Sequence, residues 1–264
     1  MEDSSARGAH HVQSLERGLA VIKAFHAGSP ELTLSDVAKA TGLTRAAARR
    51  FLLTLADLGY VRTDGKYFTL TARVLELGYA FLSSLSLPQV VQPHLERLSA
   101  EVHESSSVSV LDGTDIVYVA RVSVSRIMAV SINVGTRFPA HATSMGHVLL
   151  AGLPPAKLAE YLSSATFDPL TPRTITSPVA LRDELDTVRE RGWALVDQEL
   201  EEGLRSVAVP LHDKDGAVVA AVNLSTHASR TTAESVRREL LPPLRATAER
   251  IEADLAMAPS ARVS

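Results

Sequence analysis

The sequence predicts an α+β protein in two parts: an N-terminal winged helix-turn-helix joined by a helix to a larger C-terminal α+β domain. Three observations carry this reading. The chain has 264 residues, more than one domain usually holds. Residues 34–70 read as helix, glycine turn, helix, and then two short β-prone runs about a turn. Beyond residue 104 the apolar period changes from that of a helix to the alternation of strands.

In order along the chain, residues 1–12 form a polar arm. Ser14 is placed to cap a helix over 14–27, with Leu15, Leu19, Ile22 and Phe25 near one face and Gly28-Ser29-Pro30 ending it. A short helix over 35–41 turns Leu34, Val37 and Ala38 inward, and Gly42 supplies the tight turn. Thr44 caps a third helix that runs to about residue 58. There Ala48, Phe51, Leu52, Leu55 and Leu58 fall on one stripe and pack inward, which leaves Arg49 and Arg50 opposite and Arg45 at the boundary. Residues 60–63 and 66–70 are β-prone, and the intervening Asp64-Gly65 predicts the hairpin turn of a wing. A helix over 71–85 follows, with Val74, Leu75, Gly78, Phe81, Leu82 and Leu85 on one face. That stripe suits burial against a second copy of the chain and packing within its own domain equally well.

The domains are accordingly 12–70, a linking helix over 71–87, and 88–258. Pro88 stops the linking helix and a new helix over 93–104 opens the second domain. Val108 and Val110 alternate with serines, Asp112-Gly113 turns the chain, 116–122 returns, and 127–134 is a third strand. Helices follow after Thr143, from Pro155 and over 181–191. The strands 206–211 and 218–225 flank the turn Asp213-Lys214-Asp215-Gly216, and a helix over 233–255 closes the chain. Strands first, helices between them and a late hairpin make an α+β domain.

Composition narrows the function. Without cysteine, disulfides and thiolate metal sites are excluded, in keeping with a reducing cytoplasm. No apolar run is long enough to span a bilayer, and the first residues lack the apolar stretch of a signal peptide, so a cytoplasmic protein without membrane partners is expected. The formal net charge is −3. Yet between Thr44 and Lys66 the bases Arg45, Arg49, Arg50, Arg62 and Lys66 are opposed only by Asp57 and Asp64. A local basic patch on a mildly acidic chain suits site-restricted binding of double-stranded DNA, although such a patch alone is also what a solvated helix face looks like. Enzyme signatures are missing: there is no G-x-S-x-G elbow, P-loop or dinucleotide fingerprint, and no H-E-x-x-H among the nine histidines. The carboxylates of Asp197, Glu199, Glu201 and Glu202 read as a solvated loop. No catalytic residue, metal or cofactor is therefore expected.

The segments VQSLERGLAVIKAF, LTLSDVAKATGLTRAAARRFLLTLADLGYV and ALVDQELEEGLRSVAVPLHDKDGAVVAAVNLS strongly resemble the IclR family of bacterial transcription factors, over nearly the whole chain. Within the family, RAAARRFLLTL, VYVARV, RIM, VGTRFPAHATSMG and VDQELEEGLRSVAVP resemble the branch that controls aromatic-acid catabolism, at the protocatechuate, catechol and 4-hydroxybenzoate steps of the β-ketoadipate pathway. A regulator of another small-carboxylate operon is the alternative within the family. An enzyme with an accessory DNA-binding domain and a purely architectural DNA binder are the alternatives outside it.

The resemblance implies a GAF-like effector-binding second domain, homodimers often paired into tetramers, and a recognition helix in the major groove of operator DNA. For this chain it points to Arg45, Arg49 and Arg50 on that helix, Thr44 as a phosphate contact as well as a cap, and Arg62 and Lys66 on the wing. It also places an effector between a loop-helix entry at Arg137 to Gly146 and a strand hairpin. The residues implied are His141, Thr143, Ser144, Met145 and Gly146 from the entry, and Asp197, Ser206, Asn223 and Ser225 from the strands. Ser144 is there either as the helix cap or as part of a carboxylate-holding turn with free N–H groups. Arg137 and Arg205 are candidate partners for an acidic ligand, or members of internal ion pairs with Asp197 or Glu199.

Overall fold

A computed structural model describes residues 11–26, 28–77, 87–124 and 132–257. The chain divides into two compact units, Met1–Ser83 and Ser84–Ser264. The predicted architecture, a winged helix-turn-helix followed by an α+β domain, is the one these units adopt.

In the first unit, α1 spans Gln13–Lys23. Ser14 lies inside it: the N-cap is Val12, which makes no side-chain cap hydrogen bond. Strand β1 (Glu31–Thr33) leads directly into α2 (Leu34–Thr41) through a capping box, in which Thr33 accepts from the Asp36 N–H and Asp36 accepts from the Thr33 N–H. Gly42, at φ 68°, ends α2 in the left-handed region and starts the turn into α3 (Arg45–Asp57). Strands β2 (Val61–Thr63) and β3 (Tyr67–Leu70) form the wing, and β3 is central in the order β1-β3-β2. Val21, Val37, Ala48 and Leu52 are fully buried and bring the three helices together over Phe68 of the sheet. Leu58 does not join them: it caps the C-terminus of α3 and is 52% exposed, because the chain leaves the helix there before the stripe completes another turn. Of the predicted helix over 71–85, Ala72–Val74 is a 3₁₀ turn, and Gly78, Phe81, Leu82 and Leu85 lie outside the described residues.

In the second unit, α4 spans Leu87–Val102 and continues through Pro93, so it begins six residues before the start that the sequence predicts. An interior proline costs a helix about 3 kcal/mol. Here the stripe of Leu87, Val91, Leu95 and Leu98 spans both sides of it, and burying four such side chains, at ~1.5–3 kcal/mol each, outweighs that cost. Six strands follow: β4 (Ser105–Asp112), β5 (Asp115–Val122), β6 (Arg137–Pro139), β7 (Ala194–Asp197), β8 (Leu204–His212) and β9 (Val218–His227). They pair antiparallel in the order β6-β5-β4-β9-β8-β7. Of the strand expected over 127–134, residues 127–131 lie outside the described residues and 132–134 are not in a strand.

Helices α5 (Ser144–Ala151), α6 (Pro155–Ser164) and α7 (Pro178–Arg191) form one layer, and α4 packs with the final helix α8 (Leu241–Met257) in another. The sequence predicts one closing helix over 233–255, but the helix is not continuous. A turn at Ala233–Ser235 and a π-helical turn at Val236–Leu240 precede α8. Pro242 and Pro243 explain the break, since two successive residues without N–H cannot serve the carbonyls four positions back.

The two faces of the sheet differ in chemistry. Val207, Val209, Leu211, Val222 and Leu224 point to the α4/α8 side, into a mainly apolar core where Ser106 Oγ pairs with Ser99 Oγ of α4 at 2.8 Å. Their alternates face α5, and there the strands carry Ser107, Ser109, Ser206, Asn223 and Ser225, all buried, beside Ala208 and Ala221.

Candidate functional site

On α3, Ala48, Leu52 and Leu55 are buried, and the helical period then turns Arg45, Arg49 and Arg50 to solvent. None of the three makes an ion pair with another described residue. Thr44 caps the helix, its Oγ1 accepting from the Ala47 N–H at 3.2 Å. On the wing, Arg62 Nε donates to Thr69 Oγ1 at 2.9 Å, and Lys66 Nζ sits 4.8 Å from the centre of the Tyr67 ring. The turn is centred one residue later than the sequence suggested. The Asp64 N–H bonds the Tyr67 carbonyl, which leaves Gly65-Lys66 as the central pair with Gly65 at φ 97°. Asp64 Oδ1 accepts from the Lys66 and Tyr67 N–H groups, and these bonds hold its carboxyl below the usual range. The wing's one carboxylate is thus turned onto its own backbone, while Arg62 and Lys66 stay exposed.

In the second unit, the entry to α5 is capped by Thr143 rather than Ser144: Thr143 Oγ1 accepts from the Gly146 N–H at 3.0 Å. That N–H is therefore used within the protein, and the N–H groups of Ser144 and Met145 are the ones left without intrahelical partners. Ser144 Oγ instead accepts from Ser206 Oγ at 2.9 Å, and Ser109 Oγ donates to Met145 Sδ at 3.2 Å. Gly146 is required by contact. A Cβ there would lie 2.0 Å from the carbonyl oxygen of Ala140, in the 3₁₀ turn Ala140–Ala142. This close approach lays the first turn of α5 on the polar sheet face.

Register defines the rows on that face. Ser105 opposes Ser225, which opposes Ser206; in the next row Arg121 opposes Ser107, which opposes Asn223. Asn223 Nδ2 donates to Ser225 Oγ at 3.1 Å, whereas Asn223 Oδ1 is buried and has no partner among the described residues. His141, 2% exposed, lies beside this site with its ring edge-on to Phe167 and Nε2 3.4 Å from the Asp168 carbonyl oxygen. Burial pushes its pKa down, so the ring is neutral at pH 7. His147 is held still lower, at about 4, by complete burial; its Nε2 donates to the His141 carbonyl at 2.6 Å.

The two predicted charge partners are not brought to this face. Arg137 stands on the hairpin rim, bound by Asp112 Oδ2 at 2.5 Å and Asp115 Oδ2 at 3.1 Å. Arg205 is ion-paired with Asp197, its Nε 2.9 Å from Oδ1, and also donates to the carbonyls of Ala228 and Thr231. Asp197 and Arg205 oppose each other two residues beyond Leu195 and Val207, in the row that alternates away from Ser206 and Ser225. Arg173 Nη1 closes on the second oxygen of Asp197 at 2.7 Å. Nor is the acidic run a freely solvated loop: burial pushes Glu199 up to about 7, against the Ile175 N–H, with Glu184 and Asp197 adding to the rise. Sequence reasoning missed Arg121, Ser105, Ser107 and Ser109. The signal was present, since alternation with Val108 puts these serines on the face opposite the apolar core.

A winged helix with exposed arginines, in a chain whose second unit buries a hydroxyl- and amide-lined sheet face, defines a DNA-binding regulator with a small-molecule sensor. Comparison with known proteins agrees. Residues 14–65 match the IclR helix-turn-helix domain, and residues 79–253 match the bacterial transcriptional regulator IclR C-terminal domain. The chain belongs to the IclR family of bacterial transcriptional regulators. It is 46% identical over 232 residues to the Pca regulon regulatory protein of Pseudomonas putida, covering 88% of this chain and 80% of that one. The crystal structure of a transcriptional regulator from Rhodococcus sp. RHA1 superposes with a TM-score of 0.84 at 60% identity, covering 94% of this chain and all of that one. An IclR homologue from Microbacterium hydrocarbonoxydans, solved as a complex with 4-hydroxybenzoate, superposes with a TM-score of 0.81 at 28% identity, covering 93% of this chain and all of that one.

Proposed function

We propose that this protein controls genes of aromatic-acid catabolism, binding operator DNA through α3 and the wing and responding to a small aromatic carboxylate held against the polar face of the second unit. One observation carries the reading: the row of buried serines and Asn223 beneath the first turn of α5, polar groups where a sheet otherwise packs on apolar side chains. Buried polar atoms are normally hydrogen-bonded within the protein, and Asn223 Oδ1, which has no partner among the described residues, is the group on this face that a ligand would satisfy. The regulator of the Pca regulon and the 4-hydroxybenzoate complex among the relatives support an aromatic acid as that ligand. Residues 12–70 serve as the DNA-binding domain, 71–87 as the link and 88–258 as the sensor. One winged unit presents one recognition helix, so the working form is a homodimer on two half-sites, acting in the cytoplasm.

The ligand regulates by differing in affinity between two arrangements of the DNA-binding units. The test is fluorescence anisotropy on promoter fragments flanking aromatic-acid catabolic genes of the source organism, with and without 4-hydroxybenzoate and protocatechuate. Sequence-specific binding that either acid shifts is the expected result. Binding that neither acid alters, together with no change in DNA bending, would remove the proposal.

A further inference from the structure

Among the described residues, the strands of the sheet carry three arginines: Arg121 in β5, Arg137 in β6 and Arg205 in β8. Carboxylates claim two of them, Asp112 and Asp115 for Arg137 and Asp197 for Arg205. Arg121 differs. Its Nη1 donates to Ser107 Oγ at 3.0 Å, and among the described residues its buried Nε has no partner and no carboxylate lies within ion-pair reach. A guanidinium drawn half out of water with one neutral partner destabilises a fold. Burial accordingly lowers its pKa. An apolar side chain in its place would pack at less cost, so the charge is retained for something that supplies the missing anion.

A second, independent observation lies in the same row. Asn223 is 3% exposed, and its amide nitrogen is fixed on Ser225 Oγ, which leaves Oδ1 buried and without a partner among the described residues. That oxygen needs a hydrogen-bond donor and would repel a carboxylate. Ser107 opposes both residues, so cation, hydroxyl and amide oxygen follow one another across three adjacent strands. Neighbouring strands are about 4.8 Å apart, which puts the outer two roughly 10 Å apart, a span that Arg121 shortens by reaching to Ser107.

We propose that Arg121 holds the carboxylate of the effector, and that Asn223 Oδ1 accepts a hydrogen bond from a hydroxyl at the effector's other end. This rests on the sensor reading above and deepens it: the ligand is a hydroxylated acid, oriented with its carboxylate toward β5. The planar guanidinium pairs with carboxylate through two parallel N–H donors, and Nε becomes one of them.

Calorimetry and thermal shift on the full-length protein test the assignment with 4-hydroxybenzoate, its neutral carboxamide analogue 4-hydroxybenzamide, benzoate, and the aliphatic acids β-ketoadipate and muconate. Wild type is expected to prefer 4-hydroxybenzoate over the carboxamide by at least about tenfold. In Arg121→Met that preference disappears while carboxamide affinity holds within about threefold, and Arg121→Lys restores part of it. Equal preference in wild type and Arg121→Met overturns the proposal. So does equal loss of acid and carboxamide in a variant that melts like wild type, because that pattern marks a structural role. Should wild type bind only an aliphatic acid, the aromatic reading and the Asn223 hydroxyl contact both fall, and loss of that acid in Arg121→Met, or its retention, still decides the carboxylate assignment. Binding of no carboxylate in the set overturns both.

Discussion

The hydroxyls of Ser144 and Ser206 meet at 2.9 Å across 62 residues of sequence and pin the first turn of α5 to strand β8. Both are almost fully enclosed, so neither has water to fall back on.

A double-mutant cycle reads this contact. Ser206→Ala leaves Ser144 Oγ buried without its partner and is expected to cost about 1–3 kcal/mol in urea denaturation. Removing both hydroxyls costs less than the two single changes added together, because no orphan is left behind. Additive losses would show that the pair does not hold the helix.

On the DNA side, Arg49→Ala is expected to weaken operator binding by about fivefold or more, the effect of removing one well-placed arginine contact worth roughly 1–3 kcal/mol. The melting temperature stays unchanged, since the side chain is exposed and unpaired among the described residues. An unaltered gel-shift midpoint at fixed salt would take Arg49 out of the interface.

Gly146→Ala sets a methyl group against the Ala140 carbonyl, where only backbone stands to yield. Overpacking of this kind costs about 1–3 kcal/mol, more than the ~1 kcal/mol that alanine gains over glycine within a helix. The melting temperature is expected to fall by several degrees and effector affinity with it. A variant as stable as wild type would show that α5 does not press on this turn.

The Glu199 carboxyl, pushed up to about 7 from an ordinary value of 4.5, makes stability depend on pH. The folded protein holds a proton that the unfolded chain releases near 4.5. The stabilisation is therefore complete below that pH and is lost as pH rises through 7. Glu199→Gln carries no charge at any pH. Relative to wild type it should gain stability between pH 5 and pH 8, by at most about 3 kcal/mol. His147 acts in the opposite sense, losing stability as pH falls from 6.5 toward 4, but it is common to both proteins and drops out of the difference. Parallel pH profiles for the two proteins would refute the assignment.

Periodicity and capping made much of the fold legible. The stripe of Ala48, Leu52 and Leu55 named the face of α3 that leaves Arg45, Arg49 and Arg50 outside, and alternation about Asp112-Gly113 and Asp213 to Gly216 located two hairpins. What escaped were elements of three or four residues, β1, β6 and β7, which are too short to show a period and are held by their neighbours in the sheet. Proline alone does not settle where a helix breaks: α4 continues through Pro93 because its apolar stripe is buried on both sides, whereas the closing helix is interrupted just before Pro242-Pro243. In the site, Ser206, Asn223 and Ser225 were placed by resemblance, whereas the fates of Arg137 and Arg205 depended on carboxylates that only folding brings near. Arg121 was overlooked because its significance lies in the partner it lacks.

The unequal faces of the six-stranded sheet bear on how such a receptor diversifies. On the α4/α8 side each methylene is locked against several others, and changing one disturbs all. Toward α5 the contacts are discrete and pairwise, so exchanging one polar residue there costs about the 1–3 kcal/mol of a single buried hydrogen bond and does not force the apolar side to repack. One side preserves the shape while the other stays free to learn new chemistry.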